Sequence, residues 1–480
     1  MNLLTLGKES IIYGLGSILI RLTTFALLPI YTNTFSPEEY GIISLGYVFL
    51  GFMTVVLHFG LDAALLKFYK SCKKSEQSIY VTNTYIFLLL INILLLAIQL
   101  IFYDSLSSII LGNQYSSIMI LLSFILFFDV LWSVPMLMMR ADNKPNKFVL
   151  FNLISVFVTL ALNIVLIVNM KMGISAVFIS NLISSALLFI LTYQYLFKKF
   201  NIKHLDYSII HKLINFGYPF ILAGIFTMVI QFSDRYMIEY FLDLEQLGLY
   251  SASYKWGSVM LLCVMAFNSA WQPFFLNKDN QGKGNFENIS MYVCALFIMV
   301  WAFIITYVES SIVTLEWNGK FLLGQEYWNS IHIIKWVSLG YVFHGIYILL
   351  LPYIYIQSQT KWVAVIRGMG AITNVILNIF LIPRIGILGA SLATCISFIL
   401  MAMMVFSLNK NHFLIKYDMK KIISLIALIP LILIAINISD FSYYIPFSIP
   451  VFLYLIGFFD VVEINKLTNK IKLLLSNEGH

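Results

Sequence analysis

Apolar runs of membrane-spanning length recur along the whole chain, and this recurrence limits its possible folds more than any other feature. Crossing about 30 Å of hydrocarbon takes about 20 helical residues at about 1.5 Å each. The sequence predicts fourteen transmembrane helices, at residues 11–32, 42–66, 80–103, 116–139, 148–169, 173–197, 215–241, 248–275, 289–309, 328–356, 362–382, 386–408, 420–437 and 444–462. Only 11% of the 480 residues are charged, against about 25% in soluble domains, so we expect no sizeable soluble domain.

Lysine and arginine residues fall unequally on the two sides of these predicted helices. If the N terminus is cytoplasmic, 20 of the 30 lie in inside segments, three lie outside and seven lie within spans or at their edges. Short cytoplasmic loops of membrane proteins are enriched in such residues. We therefore expect an even number of spans and both termini in the cytoplasm. The net charge of +7 then reflects membrane orientation and requires no nucleic-acid partner.

The sequence contains an internal repeat. The segment FSPEEYGIISLGY, residues 35–47, aligns with LDLEQLGLYSASY, residues 242–254. The offset is 207 residues and later drifts to about 214. The matched pairs are Glu38 with Glu245, Gly41 with Gly248, Ser44 with Ser251, Tyr47 with Tyr254, Lys147 with Lys361 and Gly173 with Gly386.

This repeat predicts an all-α polytopic membrane protein with two six-helix lobes, residues 1–200 and 201–412. Residues 413–480 would add two more transmembrane helices and a short cytoplasmic tail. Because six is an even number, both lobes cross the membrane in the same direction, and the axis relating them runs along the membrane normal. Two such bundles facing each other enclose a central cavity, which is the architecture of a transporter.

A break inside the apolar segment 374–394 is part of the repeat. Proline stops a helix, and small residues let the next one begin and pack closely. We expect Pro383 to end the eleventh helix, and Gly386 and Gly389 to start the twelfth. Residues 162–180 look like a weaker copy of this helical hairpin.

Three stretches carry a family resemblance: GLGSILIRLTTFALLPIYTNTFSPEEYGIISLGYVF, FGLDAALLKFY and PRIGILGASLAT. The chain resembles the Wzx-like flippases, the polysaccharide transporters of the multidrug/oligosaccharidyl-lipid/polysaccharide exporter superfamily. The resemblance implies movement of an undecaprenyl-pyrophosphate-linked oligosaccharide from the cytoplasmic to the outer leaflet of a bacterial inner membrane, for surface polysaccharides such as capsule or lipopolysaccharide. It also implies contact with membrane lipids, and with the polymerase and chain-length machinery of the same pathway.

Cations inside predicted spans are the candidate substrate-binding residues, because charge at mid-bilayer is costly and is generally kept facing protein or water. A cation-lined cavity suits a pyrophosphate, which guanidinium groups bind bidentately. For Arg235 the competing interpretation is an ion pair with Asp234 or Glu239. The candidates are Arg21, Arg235, Lys255, Lys335 and Arg367.

Acidic and histidine side chains inside the spans are candidates for ion coupling. His58 and Asp62 are four residues apart, so on one helix they would share a face. Such a pair could relay protons or form a satisfied hydrogen bond, and the sequence leaves both interpretations open. Asp129 and His344 are weaker candidates.

Aromatic residues make up 16% of the chain. We expect most of them in interfacial belts and facing lipid, with some in the lumen as platforms for sugar rings. The two helices after the repeat lack charge over 422–439 and 441–459, and would suit an apolar groove for a polyprenyl tail.

Two other transporter classes and one enzyme class remain as alternatives. A drug or cation antiporter of the same superfamily would need a more acidic lumen, whereas a peptidoglycan-precursor flippase shares the plan and an anionic substrate. A glycan polymerase or ligase should carry a large outer loop, but the longest one here is 310–327. No nucleotide-binding loop, metal cluster or nucleophile constellation is present, so we predict a non-enzyme without cofactor. The four cysteines are scattered, which favours core positions over disulfides.

Overall fold

The structure is a computed structural model that describes residues 25–276, 286–357, 359, 361–412, 417–438 and 442–458. We call the described residues up to 200 the first half and residues 201–412 the second half. Within the described residues the secondary structure is helical apart from one two-stranded hairpin.

The helices of the first half are α1 (Leu28–Thr32), α2 (Pro37–Leu57), α3 (Leu61–Ser71), α4 (Gln77–Ile101), α5 (Tyr103–Ile110), α6 (Ser116–Ala141), α7 (Pro145–Asn163) and α8 (Ser175–Phe197). A π-helical segment, Ile164–Asn169, continues α7.

The second half contains α9 (Tyr207–Phe241), α10 (Leu244–Gly257), α11 (Val259–Leu276), α12 (Phe286–Phe303), β1 (Glu316–Trp317), β2 (Lys320–Phe321), α13 (Ile334–Leu350), α14 (Pro352–Ile356), α15 (Lys361–Ile385) and α16 (Ile387–Asn411). A π-helical segment, Ile304–Ile312, continues α12, and a 3₁₀ segment, Gln325–Ile333, precedes α13. Two more helices follow, α17 (Met419–Ile438) and α18 (Ile445–Leu455).

Twelve helical stretches of the described residues, from 18 to 35 residues long, are apolar and long enough to cross a membrane. They coincide with twelve of the predicted runs and confirm a polytopic all-α membrane protein. The first predicted run, 11–32, lies largely outside the described residues. The last, 444–462, is described only to residue 458, and α18 within it has 11 residues.

The second predicted span, 42–66, is not one continuous helix, so that expectation is wrong. Phe59 and Gly60 have φ values of 52° and 66°, which separate α2 from α3. A Cβ atom at Gly60 would lie 2.1 Å from the carbonyl oxygen of Gly217 in α9. Only glycine allows this approach, and the resulting break is invisible to a search for apolar length.

The predicted helical hairpins lie where the sequence indicated. Gly173 precedes α8 and Gly386 separates α15 from α16, and their φ values are 67° and 62°. A Cβ atom added to either would have no neighbour within 4 Å. The left-handed backbone, rather than close packing, therefore explains why these two residues are glycines, as it does at helix C termini in general.

Pro383 does not end its helix, contrary to the prediction, because α15 continues to Ile385. A proline this close to the end removes only one of the last backbone hydrogen bonds. The predicted close packing is present, since a Cβ atom at Gly389 would lie 2.6 Å from backbone atoms of Leu381. Glycine thus lets α16 approach α15.

The two halves contact each other along α2 and α10. The hydroxyl oxygens of Ser44 and Ser251, which are 207 residues apart, lie 2.7 Å from each other. One turn earlier, a Cβ atom at Gly248 would lie 3.0 Å from the backbone nitrogen of Gly41. Because equivalent residues meet at two successive turns, α2 and α10 run parallel. Two helices related by a two-fold axis that runs along their length have this arrangement.

The glycines at this contact are required by close backbone approach on both sides. A Cβ atom on Gly41 would lie 2.2 Å from the oxygen of Leu244, and one on Gly248 would lie 1.7 Å from the oxygen of Pro37. The two oxygens are again 207 residues apart, so the contact is reciprocal. Small residues allow membrane helices to approach in this way.

The β1–β2 hairpin adds a second contact between the halves at the same end of the molecule, which we call the hairpin face. Asn318 and Gly319 form its turn with φ values of 54° and 75°, as two-residue hairpin turns require. The side-chain amide of Asn33 donates to the oxygen of Phe321 at 2.6 Å and accepts from its nitrogen at 3.0 Å.

The opposite end of the spanning helices carries most of the exposed lysines of the first half, and we call it the lysine face. Here α3, α6 and α8 end, and α4 and α9 begin. The halves meet near this end through aromatic rings and cations. The Lys67 ammonium lies 3.8 Å from the ring centroid of Phe216, and that of Lys212 lies 4.8 Å from Phe68.

Candidate functional site

A cavity of about 520 Å³ lies between the halves, lined by α1 and α2 of the first and by α9, α10, α11, α13 and α15 of the second. Its lining combines three cations, a histidine, several tyrosines and smaller polar groups. The polar side chains that line it are Tyr31, Tyr40, Ser44, Tyr47, Gln231, Arg235, Ser251, Tyr254, Lys255, Ser258, Asn268, Tyr341, His344 and Arg367.

Arg235 is the most constrained of the cations in this cavity, with only 7% of the residue exposed. Its Nη1 atom donates to Asp234 at 2.7 Å and to the backbone oxygen of Gln231 at 2.7 Å. Its guanidinium lies 4.3 Å from the ring centroid of Tyr254. The oxygen of Asp234 opposite the arginine accepts from Tyr250 at 2.5 Å. Both predicted roles of Arg235, ion pairing and cavity lining, thus describe its position.

Lys255 and Arg367 line the same cavity, and within the described residues neither forms an ion pair. Beside Arg367, the Nδ1 atom of His344 is buried and has no hydrogen-bond partner among the residues that the structure describes. Together with Arg235 on α9, Lys255 on α10 and Arg367 on α15 bring predicted cations of three helices to one site. A cavity that contains unpaired cations attracts an anion.

Of the two remaining predicted cations, one is placed elsewhere and the other is not described. Lys335 does not line the cavity, and its ammonium lies 3.7 Å from Glu309. Arg21 lies outside the described residues. Substrate contact by these two residues stays a prediction.

Tyrosines make up much of the cavity wall, which the sequence indicated only as an overall aromatic content. Tyr31 donates to Asn163 at 2.9 Å, and Tyr47 accepts from Asn181 at 2.7 Å. Tyr254 and Tyr341 lie within hydrogen-bond distance of each other, at 2.7 Å. The match of Tyr47 with Tyr254 across the repeat was the one sequence signal for these positions.

His58 and Asp62 do not share a helix face, because the backbone break lies between them. The Nδ1 atom of His58 lies 2.6 Å from the oxygen of Thr54, and its Nε2 atom lies 3.0 Å from the hydroxyl of Ser133 on α6. Asp62 is exposed in the first turn of α3. The prediction that the two residues share a helix face is therefore wrong, while a role for them in ion coupling stays a prediction.

Asp129 lies on the same helix as Ser133, one turn earlier. It accepts hydrogen bonds from Ser185 at 2.5 Å and from Trp132 at 2.9 Å. Both donors reach the same carboxylate oxygen, Oδ1. The first half thus contains an intramembrane acid and a histidine on neighbouring helices, α6 and α2.

An apolar groove of about 370 Å³ lies outside the central cavity, between α12, α13, α16 and α17. The described residues that line it are almost entirely aliphatic, aromatic or sulfur-bearing, and Glu287 is the one charged residue among them. The phenol of Tyr353 donates to that carboxylate. The first of the two helices after the repeat thus forms a wall of this groove.

All four cysteines are free thiols, and Cys294 and Cys395 are buried. Among the residues that the structure describes, no group of three or more histidine, cysteine, aspartate or glutamate side chains is placed to hold a metal ion.

Comparisons with known proteins agree with this architecture. The family model described as "Polysaccharide biosynthesis protein" matches residues 6–277, more than half of the chain. An "Uncharacterized membrane protein" of Haemophilus influenzae is 22% identical over 402 residues, which cover 81% of this chain and 95% of the relative.

Two kinds of solved structure share the fold. The "Lipid II flippase MurJ, inward closed conformation" superposes with a TM-score of 0.73 and 17% identity, over 92% of this chain and 97% of that one. A multidrug resistance MATE family transporter of the MOP superfamily, in its outward-facing conformation, gives a TM-score of 0.60 and 14% identity, over 83% of this chain and 94% of the other.

Proposed function

The chain belongs to the polysaccharide biosynthesis protein family, and from this premise we propose that it flips undecaprenyl-pyrophosphate-linked oligosaccharide units from the cytoplasmic to the outer leaflet of a bacterial inner membrane. The observation that carries the proposal is the cavity between the halves, which combines three cations with tyrosine and hydroxyl side chains. The flippase fold supports it. In this proposal the lysine face is cytoplasmic, and both termini lie on that side.

The diphosphate of the substrate binds Arg235, Lys255 and Arg367. Among the described residues, both hydrogen bonds of the Arg235 guanidinium come from Nη1, so Nη2 and Nε are the atoms that remain for phosphate oxygens. Lys255 and Arg367 lack carboxylate partners among the described residues, so a bound anion would supply the missing counter-charge. Arg21 would add a fourth cation from the first half.

The sugars lie against the tyrosine wall. Tyrosine offers an apolar ring face and a hydroxyl group, which together match the C–H and O–H faces of a sugar. Tyr31, Tyr40 and Tyr47 provide this surface in the first half. The oligosaccharide therefore faces the first half while its diphosphate contacts the second.

The polyprenyl tail occupies the apolar groove walled by α17. Its lining is apolar and the groove is partly open, so a chain can enter it from the bilayer without desolvating polar groups. This assigns the helices after the repeat a role in holding the lipid while its head group crosses. Polymerase and chain-length proteins would then receive the exported unit.

A peptidoglycan-precursor flippase is the closest alternative, because that substrate also carries a diphosphate, and the fold similarity to a lipid II flippase favours it. A drug or cation antiporter is less favoured, since an unpaired cation repels a cationic substrate. We infer that the protein is not an enzyme, as transporters share its fold.

Proton coupling would involve His58. Its Nδ1 atom faces a carbonyl oxygen, which only accepts, and therefore carries a hydrogen. Ser133 either donates to Nε2 or accepts from it while donating to the oxygen of Val130 at 2.8 Å. Ser133 can thus pair with Nε2 as a donor or as an acceptor, and Asp129 lies on the same helix as Ser133. Within the described residues no hydrogen bond joins Asp62 to His58.

The proposal is tested by flipping assays in proteoliposomes with lipid-linked oligosaccharide and, in a separate arm, lipid II. Lys255→Gln and Arg367→Gln should each lower the flipping rate by about tenfold, the loss of one charge-assisted hydrogen bond. Lys171→Gln, an exposed lysine outside the cavity, serves as the control and should flip normally. Wild-type rates in both cavity variants would refute the proposal, and flipping of lipid II alone would select the alternative.

A further inference from the structure

We propose that a second site, a pocket at the lysine face of the first half, binds the phosphate headgroup of a membrane lipid. The pocket has a volume of about 790 Å³ and lies where α3, α6 and α8 end and α4 begins. Its charged lining consists of Lys70, Lys74, Lys144, Lys199 and Asp142. It shares no residue with the central cavity.

The floor of the pocket is an ordered network around Asp142. This carboxylate accepts from Tyr69 at 2.7 Å, from Tyr195 at 2.5 Å and from the Lys199 ammonium at 3.0 Å. Lys199 also donates to Gln77 at 3.0 Å. The single acid of the pocket is thus neutralised by its own lysine, and four helices are joined at one point.

The ionised state of Asp142 is favoured by this network. Burial raises the pKa of Asp142, but hydrogen bonds from Tyr195, Tyr69 and Lys199 outweigh burial and hold that pKa below its usual value. The floor therefore keeps its Asp142–Lys199 pair at physiological pH, and Asp142 is not available to neutralise the other lysines.

The rim of the pocket carries the charge that remains. Lys70, Lys74 and Lys144 are exposed, and within the described residues none of them is in an ion pair. Four lysines against one carboxylate leave three net positive charges. Positive-inside sorting explains lysines at this end of the helices, but it requires neither a pocket nor an ordered floor beneath them.

One of the rim lysines is positioned by the backbone. Asn143 adopts a φ of 53°, a left-handed conformation that is uncommon for residues other than glycine. The next backbone nitrogen, that of Lys144, donates to the oxygen of Met139 at 2.9 Å and closes the end of α6. This turn brings the Lys144 ammonium to 4.8 Å from the ring centroid of Tyr195, above the floor.

The ligand that fits is an anion with several oxygens, since three ammonium groups surround a space large enough for one or two phosphate groups. At the end of membrane-spanning helices, that anion is a lipid headgroup. Its source is either an ordinary anionic phospholipid or a lipid diphosphate, and the second source rests on the proposed function. The repeat does not require this site, because 214 residues after Asp142 the second half has Ile356.

The test is native mass spectrometry of the purified full chain with dioleoylphosphatidylglycerol, undecaprenyl diphosphate and, as the neutral reference, dioleoylphosphatidylcholine. The pocket variant is Lys70→Gln/Lys74→Gln/Lys144→Gln. The matched control is Lys203→Gln/Lys410→Gln/Lys420→Gln, which removes three exposed lysines from the predicted cytoplasmic side. Thermal unfolding of the lipid-free proteins shows whether both variants fold.

We expect at least one anionic lipid to bind the wild type and the control equally, and the pocket variant at least about tenfold more weakly, because three ammonium groups that attract the headgroup are removed. Loss of both anionic lipids indicates a general headgroup site, and loss of undecaprenyl diphosphate alone indicates a substrate site. Equal binding by pocket variant and wild type overturns the proposal, and so does the same loss in the control. Because binding is measured without transport, a failure of the headgroup-site proposal can be distinguished from a failure of the flippase proposal.

Discussion

At the hairpin face, Gly41 and Ser44 of the first half meet Gly248 and Ser251, their counterparts 207 residues later. The cavity walls differ between the halves. Extending the same offset puts Leu27 and Leu28 where the second half has Asp234 and Arg235, and Val48 where it has Lys255.

The contact between the halves and the cavity wall place different requirements on the two copies of the repeat. Each glycine at the contact accommodates the backbone of the other half, so a side chain on either side would push the halves apart. In the proposed function, the cavity instead surrounds one substrate whose ends differ in chemistry. The cations therefore need to lie on one wall, and the described first half could keep leucine and valine at the equivalent positions.

The largest effect is expected when only one residue of the buried Asp234–Arg235 pair is replaced by the leucine that stands at the equivalent position of the first half. Arg235→Leu leaves Asp234 buried without its cation, and this should destabilise the fold by about 3–5 kcal/mol. The double variant Asp234→Leu/Arg235→Leu restores the apolar pair of Leu27 and Leu28 and should recover most of that stability. Thermal unfolding in detergent measures both, and a double variant as unstable as the single one would contradict the account.

A smaller loss is expected from adding one methyl group at the contact between the halves. Gly248→Ala should cost about 1–3 kcal/mol, because the new Cβ atom would overlap the backbone oxygen of Pro37. Gly41→Ala should lose stability by a similar amount if the contact is reciprocal. The control is Gly368→Ala in α15, where a Cβ atom meets nothing within 4 Å. Equal unfolding temperatures for all three variants would disprove the reciprocal contact.

The smallest effect concerns the Asp142 network of the first half, where the position 214 residues later is Ile356. The pKa of Asp142 is lowered in the fold, so its contribution to stability is present above its unfolded pKa of about 3.9 and is lost as pH falls through the folded value. Asp142→Asn should lower the unfolding temperature at pH 7, and this difference should shrink progressively as pH falls below the unfolded pKa. The exposed Asp62→Asn serves as the control, and a difference for Asp142→Asn that persists at low pH would exclude this network.

The sequence predicted the fold well, because membrane spans and repeats depend on properties that accumulate over many residues. Twelve spans and both hairpin turns appear at the expected positions. The break at Phe59 and Gly60 was missed because apolar length does not report backbone conformation, and the close neighbour of Gly60, Gly217, is distant in the sequence. The exact end of α15 was missed because Gly386, rather than Pro383, reverses the chain.

The candidate site was harder to predict, because a charge inside a span indicates cost without indicating a partner. Arg235, Lys255 and Arg367 reach one cavity, while Lys335 pairs with Glu309 on a neighbouring segment. Whether such a lysine lines the cavity or pairs with an acidic residue depends on how its helix is rotated about its axis. Apolar length alone does not determine that rotation. The tyrosine wall was not predicted for the same reason, because tyrosines at the membrane interface and tyrosines in the cavity look alike in the sequence.

The central claim is that the second half binds the diphosphate in the cavity between the halves. Photocrosslinking tests it directly, with an undecaprenyl diphosphate that carries a photoreactive group next to the diphosphate and with peptide mapping of the purified full chain. We predict adducts on α9, α10 and α15 around Arg235, Lys255 and Arg367, and their loss in Lys255→Val/Arg367→Gln. Adducts confined to α2, or adducts unchanged in that variant, would contradict the account.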